Sequence, residues 1–116
     1  MLNEHKARAL RYDTATDRAF VEVGPPSAES RTVEALLLLD AKGFLVGVDL
    51  GGEGLARAVV LLGSFESVDR TVSADVVVAY GPGGEPAEVR VGAARSAIRA
   101  AEPSPYLSAW ISGHPR

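Results

Sequence analysis

Three unbroken runs of aliphatic residues constrain the fold of this chain more than any other feature. They occupy residues 36–39 (LLLL), 59–62 (VVLL) and 76–78 (VVV). Successive side chains of a β-strand point to opposite faces of its sheet, so a run without alternation places apolar groups on both faces. Because hydrophobic residues make up 47% of the chain and aromatic residues only 6%, aliphatic side chains must form the core. We therefore expect a folded, β-rich chain whose sheet is covered on both faces.

Turn sequences divide the first half of the chain into two predicted hairpins. Residues 7–12 and 18–23 flank the sequence DTATD and alternate partly between apolar and polar residues, which is typical of paired antiparallel strands. Residues 32–39 and 44–50 are largely apolar and are joined by DAKG, whose final Gly43 suits a tight turn.

The second half of the chain is expected to add further strands and one helix. Strands are predicted at about 57–62, 72–80 and 87–92, because each segment is apolar or alternating and lies between glycine-rich or proline-rich breaks. Residues 93–102 (AARSAIRAAE) contain strong helix formers and are followed by Pro103, which predicts a C-terminal helix over this span.

Together these elements predict a mainly β fold, an antiparallel curved sheet or small barrel of six to seven strands with one C-terminal helix. Residues 1–102 are expected to form a single β-rich domain. Residues 103–116 are expected to form an apolar tail that packs on its own chain or on a partner chain. The tail contains four large apolar side chains, which we predict to be interaction residues: Tyr106, Leu107, Trp110 and Ile111.

The aliphatic runs also predict self-association. A helix of about ten residues covers a stripe of a sheet rather than a whole face, so a single chain of this size is expected to leave apolar surface uncovered. Burying one Leu or Val side chain contributes about 1.5–3 kcal/mol. We therefore expect a homodimer that is joined through the aliphatic sheet face or through residues 106–111.

Residues 12–50 resemble a known family. The sequence YDTATDRAFV at 12–21, followed after a loop by LLDAKGFLVGVDL at 38–50, resembles small bacterial domains of unknown function built on the pattern YDxxxDxxY followed by DxxGxxxGxE. Phe20 and Asp49 stand where that pattern has Tyr and Glu. The resemblance implies a short β-rich module with two hairpins, and it transfers no catalytic residue.

The polar residues that carry this resemblance have a local physical role. Asp13 and Asp17 are expected to accept backbone N–H bonds at the two ends of the first turn, and Gly43 is expected to supply the backbone conformation that closes the second. We therefore interpret these residues as turn formers rather than as ligands.

Composition disfavours several classes of function. Twelve basic residues against fifteen acidic ones give a formal charge of −3, which disfavours a nucleic-acid partner. The chain has no cysteine and therefore no disulfide, no thiolate chemistry and no cysteine-ligated metal. Its two histidines, His5 and His114, lie near the termini, so neither a hydrolytic triad nor a metal site is expected. We expect no cofactor.

The apolar segments of the chain are short. None approaches the roughly 18 residues of a membrane-spanning helix, and the first twenty residues mix charges of both signs, unlike a signal peptide. We therefore expect no membrane partner and a cytoplasmic location.

Carboxylates remain the candidate catalytic groups. Asp49 ends an apolar strand and precedes the sequence GGEG, so Asp49 and Glu53 could flank a small site whose glycines admit a ligand close to the backbone. The alternative is a solvated loop. Asp75 lies inside a predicted strand, where a charge must face solvent or find a partner. It is expected in a surface pair with Arg70 or Arg90 or, if buried, as a site residue.

Two functional hypotheses follow, and the sequence leaves enzymatic activity undecided. The favoured one is a non-enzymatic, self-associating protein-interaction module of bacterial type. The alternative is a small-molecule-binding or lyase/isomerase-type β-barrel that uses carboxylates in an aliphatic pocket and takes a small apolar ligand. A cavity that encloses a carboxylate would favour the second hypothesis, whereas a filled core with an apolar contact surface would favour the first.

Overall fold

Strands make up most of the chain that the structure describes. The structure is a computed structural model that describes residues 3–27, 29–51, 58–94 and 102–103. Within these ranges it contains one short 3-10 helix (Phe65–Ser67) and nine strands: β1 (Asn3–Lys6), β2 (Ala9–Asp13), β3 (Arg18–Glu22), β4 (Ser30–Leu39), β5 (Leu45–Gly51), β6 (Ala58–Leu61), β7 (Arg70–Tyr80), β8 (Pro86–Val91) and β9 (Glu102–Pro103).

The strands belong to one curled, mixed sheet that forms a half-barrel. Eight of them follow the order β1-β6-β5-β4-β7-β8-β3-β2, and β9 pairs with β7 outside this path. β1 and β6 are parallel, and the other pairs are antiparallel. The prediction of a mainly β fold with a curved sheet is therefore confirmed. The prediction of six to seven purely antiparallel strands is wrong, because the short strands β1 and β9 also join the sheet.

Both predicted hairpins are confirmed, as β2–β3 and β4–β5. In the first turn, Asp13 Oδ1 accepts the Ala15 N–H at 3.0 Å. In the second, the Gly43 N–H donates to the Asp40 carbonyl at 3.0 Å, and Gly43 has a φ of 85°, which favours glycine. Local turn chemistry therefore sets the register of these two strand pairs.

The two ends of the sheet are connected by only two residues. The Ala7 N–H donates to the Leu61 carbonyl of β6 at 2.8 Å, and the Arg8 N–H donates to the Glu22 carbonyl of β3 at 2.7 Å. The pairings of the sheet make β1 and β2 run in the same direction, so the chain continues from one strand to the other through a bend at Arg8 and changes partner at Ala7–Arg8. This change of partner forces the sheet to curl.

The concave face of the half-barrel contains the main core. Val21 of β3 and Val60 of β6 belong to the same buried cluster although their strands are far apart in the sheet order, so one continuous core fills the interior. The buried members of this cluster are aliphatic: Ala19, Val21, Ala35, Leu37, Val48, Val60, Val76, Val78, Val89, Val91 and Ala94.

The convex face carries a second apolar cluster. Leu38, Val46 and Val59 lie there with Val68, and Phe65 of the 3-10 helix packs against them. Apolar side chains are therefore buried on both faces of the sheet, as the aliphatic runs predict, although the convex face is covered only around this cluster. For residues 37–39 the expectation that one chain leaves the runs uncovered is wrong: they are at most 2% exposed within a single chain, because the sheet curls over one face and residues 65–68 pack on the other.

The predicted C-terminal helix over 93–102 has the wrong bounds, and Ala94 is the one helical residue among those of this span that the structure describes. Ala93 has a φ of 50°, outside the helical range, and the chain turns there so that the Ala94 N–H donates to the Asp17 carbonyl at 3.0 Å. Glu102 pairs with Thr71 as part of β9. Residues 95–101 and the predicted tail from 104 lie outside the described residues. No helix in the described ranges is long and apolar enough to cross a membrane.

Gly47 offers a test of how closely β5 and β6 pack. A methyl group at Gly47 would lie 2.6 Å from the Val60 carbonyl oxygen, which belongs to the backbone of the neighbouring strand. We expect Gly47→Ala to lower the free energy of unfolding by about 1–3 kcal/mol, measured by chemical denaturation. Gly63→Ala is the control, because its methyl group would meet only Val46 Cγ1, at 3.7 Å. Equal stability of the two variants would contradict the close approach.

Candidate functional site

An apolar groove of about 380 Å³ lies at one end of the half-barrel. We call this the open end; here β2, β4 and β8 finish and β3, β5 and β7 begin. The groove is lined almost entirely by hydrocarbon, from strands that are distant in the sequence: Leu10, Tyr12, Ala19, Leu37, Leu39, Gly43, Phe44, Leu45, Val91 and Ala94. It is the candidate functional site of the chain.

One wall of the groove is β2, the last strand of the sheet path. Leu10 and Tyr12 lie opposite Val21 and Ala19 of β3, so all four residues share the concave face. The other long edge of β2 pairs with no strand among the described residues. The apolar interior of the half-barrel therefore continues outward along β2.

The opposite wall is formed by the turn between β4 and β5. Asp40 Oδ1 accepts the N–H groups of Lys42 and Phe44, each at 2.9 Å, and the Asp40 N–H donates to the Phe44 carbonyl at 2.9 Å. Three hydrogen bonds therefore hold this turn. They fix the backbone from which the Phe44 ring projects, so that position is preorganised rather than loosely tethered.

Three large apolar side chains remain exposed around this groove. Phe44 is 67% exposed, Leu10 46% and Tyr12 38%. Single exposed apolar residues are common on protein surfaces, but a group around one concave site marks a contact surface. Since these side chains lie on the two facing walls, the exposed apolar surface is gathered at the groove.

Tyr12 supplies a polar atom at the rim. Its hydroxyl donates a hydrogen bond to Asp17 Oδ1, within the turn between β2 and β3. Asp17 has a φ of 54°, and its carbonyl accepts the Ala94 N–H, so this turn connects β2, β3 and the end of β8. The Asp17 carboxylate thus holds the Tyr12 ring against the groove, whereas the predicted bonds from backbone N–H groups to this carboxylate stay a prediction.

The groove has the chemistry of an apolar binding site. The described residues that line it include no carboxylate and no histidine, and the Tyr12 hydroxyl is the one ionisable side-chain group among them. Nor does any group of three His, Asp or Glu within the described ranges stand where it could hold a metal ion. The lining can bind hydrocarbon or aromatic groups, with the Tyr12 hydroxyl as its polar atom.

The predicted site residue Asp49 lies elsewhere, on the convex face. It is 3% exposed, stands opposite Leu36 and Val59, and its Oδ1 accepts the Gly51 N–H at 2.9 Å. The β5–β6 pairing shifts register here, and Gly51 has a φ of 75°. Asp49 therefore stabilises a bulge in β5. Its predicted partner Glu53 lies outside the described residues.

The predicted site residue Asp75 is exposed on the convex face. The expected pair with Arg70 or Arg90 is wrong: Arg70 Nε lies 3.2 Å from Asp69, and Arg90 Nε lies 2.8 Å from Glu88. Asp75 instead stands directly opposite Glu34 of β4. Neither Asp75 nor Asp49 reaches the groove.

The interaction residues predicted in the tail, Tyr106, Leu107, Trp110 and Ile111, lie outside the described residues. The groove residues Leu10, Tyr12 and Phe44 were not predicted as a site. Their signal in the sequence is that each lies next to one of the two predicted turns, but nothing local indicates that the two turns meet. No family model, curated protein or solved structure matches this chain, so the family resemblance of residues 12–50 stays a prediction.

The like-charged pair on the convex face can be tested directly. Carboxylates directly opposite each other on neighbouring strands repel, so we expect Asp75→Asn to raise the free energy of unfolding by about 0.2–1 kcal/mol at low salt. The gain should shrink in high salt because of screening. Glu29→Gln is the matched control, since it removes the same charge from a carboxylate that lies 3.4 Å from Arg31. An equal rise in the free energy of unfolding in both variants would show that the change in net charge, and not the Asp75–Glu34 pair, is responsible.

Proposed function

We propose that this chain is a non-enzymatic protein-interaction module that self-associates as a homodimer through the apolar groove. The observation that carries the proposal is the position of Leu10, Tyr12 and Phe44, which expose large apolar side chains on the two facing walls of one apolar groove. Removing such surface from water contributes about 25 cal/mol per Å². A second copy that covers both walls would bury all three side chains at once.

This proposal moves the contact surface away from the aliphatic sheet faces. Residues 37–39 are already buried within one chain and have nothing left to gain from a partner. The rim of the groove is where burial remains to be gained. Because a specific stable interface buries more than about 1,000 Å² and the groove is small, we expect a weak dimer that depends on protein concentration.

The polar surroundings of the groove suit a contact of this kind. Arg11 projects from the other face of β2, where its guanidinium carbon lies 4.3 Å from the centre of the Phe20 ring. Its Nε is also 3.9 Å from Glu22 Oε1. β2 thus has an apolar face toward the groove and a charged face toward solvent, which resembles the apolar centre and polar rim of protein interfaces.

A second candidate function is the binding of a small apolar molecule in the same groove. The volume of about 380 Å³ favours it, since pockets for small ligands measure roughly 300–1,000 Å³. Lyase or isomerase chemistry, which the sequence offers as part of this alternative, needs carboxylates in the pocket. Asp49 and Asp75 lie on the convex face and do not supply them. The cytoplasmic location and the bacterial family remain predictions from the sequence.

Phe44→Asp tests the proposed dimer. The wild-type chain should show a mass that rises with concentration from 12.1 kDa toward twice that value. Phe44→Asp should raise the dissociation constant of the dimer at least tenfold, because a buried charge would replace a central apolar contact. The measurement is light scattering or sedimentation over a concentration series.

The control for this test is Thr32→Asp, which adds the same charge at an exposed position on the convex face, toward the other end of β4. We expect it to leave the dimer unchanged. A wild-type mass of 12.1 kDa up to millimolar concentration would contradict self-association. If the wild-type chain stayed monomeric and bound an apolar dye, and Phe44→Asp abolished this binding, the binding of a small apolar molecule would become the favoured function in place of self-association.

A further inference from the structure

The described chain finishes next to the groove. Pro103 of β9 lies opposite Arg70, and Arg70 lies opposite Leu39, which lines the groove. Pro103, Arg70 and Leu39 therefore lie side by side on three neighbouring strands. Two strand spacings, or about 10 Å, separate Pro103 from Leu39. β9 is antiparallel to β7, and Arg70 is the first residue of β7. Residues that follow Pro103 thus start from the open end, where the groove lies.

The sequence that follows carries a cluster of large apolar side chains. Residues 104–116 (SPYLSAWISGHPR) contain Tyr106, Leu107, Trp110 and Ile111 within six positions. The pairs 106/110 and 107/111 are each four residues apart, the spacing by which a helix presents neighbouring side chains on one face. Short apolar helices dock in hydrophobic grooves by anchors at this spacing.

We infer that the apolar groove is occupied by residues 104–116 of the same chain, which compete there with a second copy. Three residues of extended chain span about 10 Å, so Tyr106 is the first apolar side chain that can reach the groove, and Trp110 reaches it with chain to spare. The groove accommodates a few apolar side chains of residues 104–116 rather than the whole segment. These side chains cover the exposed parts of Leu10, Tyr12 and Phe44.

Proximity makes the same chain the favoured source of this segment. A segment tethered by a few residues has an effective concentration in the millimolar range, whereas a second copy competes at its actual concentration. The tail then lowers the apparent affinity of the dimer without any contact with the partner. This regulatory consequence rests on the proposed function, but the docking of the tail does not.

The chain has a single tryptophan, Trp110, which reports on the docking directly. In the full-length wild-type protein, we expect Trp110 emission to be shifted to the blue relative to the unfolded chain and to be protected from acrylamide quenching. This protection should not change on dilution from micromolar to nanomolar protein. Leu10→Asp and Phe44→Asp should each shift the emission to the red and raise the quenching constant several-fold, while Thr32→Asp leaves both unchanged. Circular dichroism checks that each variant is folded, as expected for exposed positions.

Competition with the dimer is tested in the full chain with Leu107→Asp. Weaker docking should free the groove, so this variant should lower the dissociation constant of the dimer at least tenfold. An unchanged dissociation constant would overturn the competition. Wild-type Trp110 that is as accessible as in the unfolded chain, or protection that Leu10→Asp and Phe44→Asp both leave intact, would overturn the docking.

The two proposals fail separately in these experiments. A dimer that Phe44→Asp abolishes, in a protein whose Trp110 is accessible, would overturn the inference and leave the proposed function standing. Protection of Trp110 in a chain that never exceeds 12.1 kDa would support the docking and overturn self-association. Protection that disappears on dilution together with the dimer would assign the tail to the partner copy and overturn docking within one chain.

Discussion

The change of strand partner at Ala7–Arg8 is the constraint on which the rest of the structure depends. One backbone N–H bonds to Leu61 of β6 and the next to Glu22 of β3, which are strands near opposite ends of the sheet. A flat sheet cannot satisfy both bonds, so the sheet curls into a half-barrel. The curl places β3 across from β6 and buries the aliphatic residues between them. It also separates β2 from the β4–β5 turn at the open end, and the groove lies between them.

The distribution of apolar surface follows from this geometry. The aliphatic runs place side chains on both faces of the sheet; the curl covers the concave face, and Phe65 and Val68 pack on the convex face. Among the described residues, the large apolar side chains that stay exposed to water are therefore Leu10, Tyr12 and Phe44 at the open end, not the long runs. Three kinds of binding compete for this one surface: self-association, docking of the tail and binding of a small apolar molecule. Trp110 fluorescence reports on the tail and the mass of the protein reports on the dimer, so the two measurements together distinguish them.

Much of the strand pattern was predictable because the signals are local. The turn sequences DTATD and DAKG located both hairpins, and Gly43 and Asp13 act in them as expected. β1 was missed because its sequence, NEHK, is polar and joins the sheet only through its pairing with β6. β9 was missed because Glu102 follows strong helix formers, and its pairing with Thr71 joins residues far apart in the sequence. The sequence predicts Asp49 as a site residue, but its carboxylate supports a bulge.

The sequence by itself determined the class of fold, the position of the turns and the absence of cysteine chemistry, because these depend on composition and on residues a few positions apart. Only the tertiary structure decided where the apolar surface is exposed. Leu10 lies on β2 and Phe44 in the β4–β5 turn, and β2 pairs with neither β4 nor β5, so their position on two walls of one groove depends on the curl of the whole sheet. The curl covers Leu37 on the concave face, and Phe65 and Val68 cover Leu38 on the convex face, whereas the sequence alone predicts that apolar surface stays uncovered here.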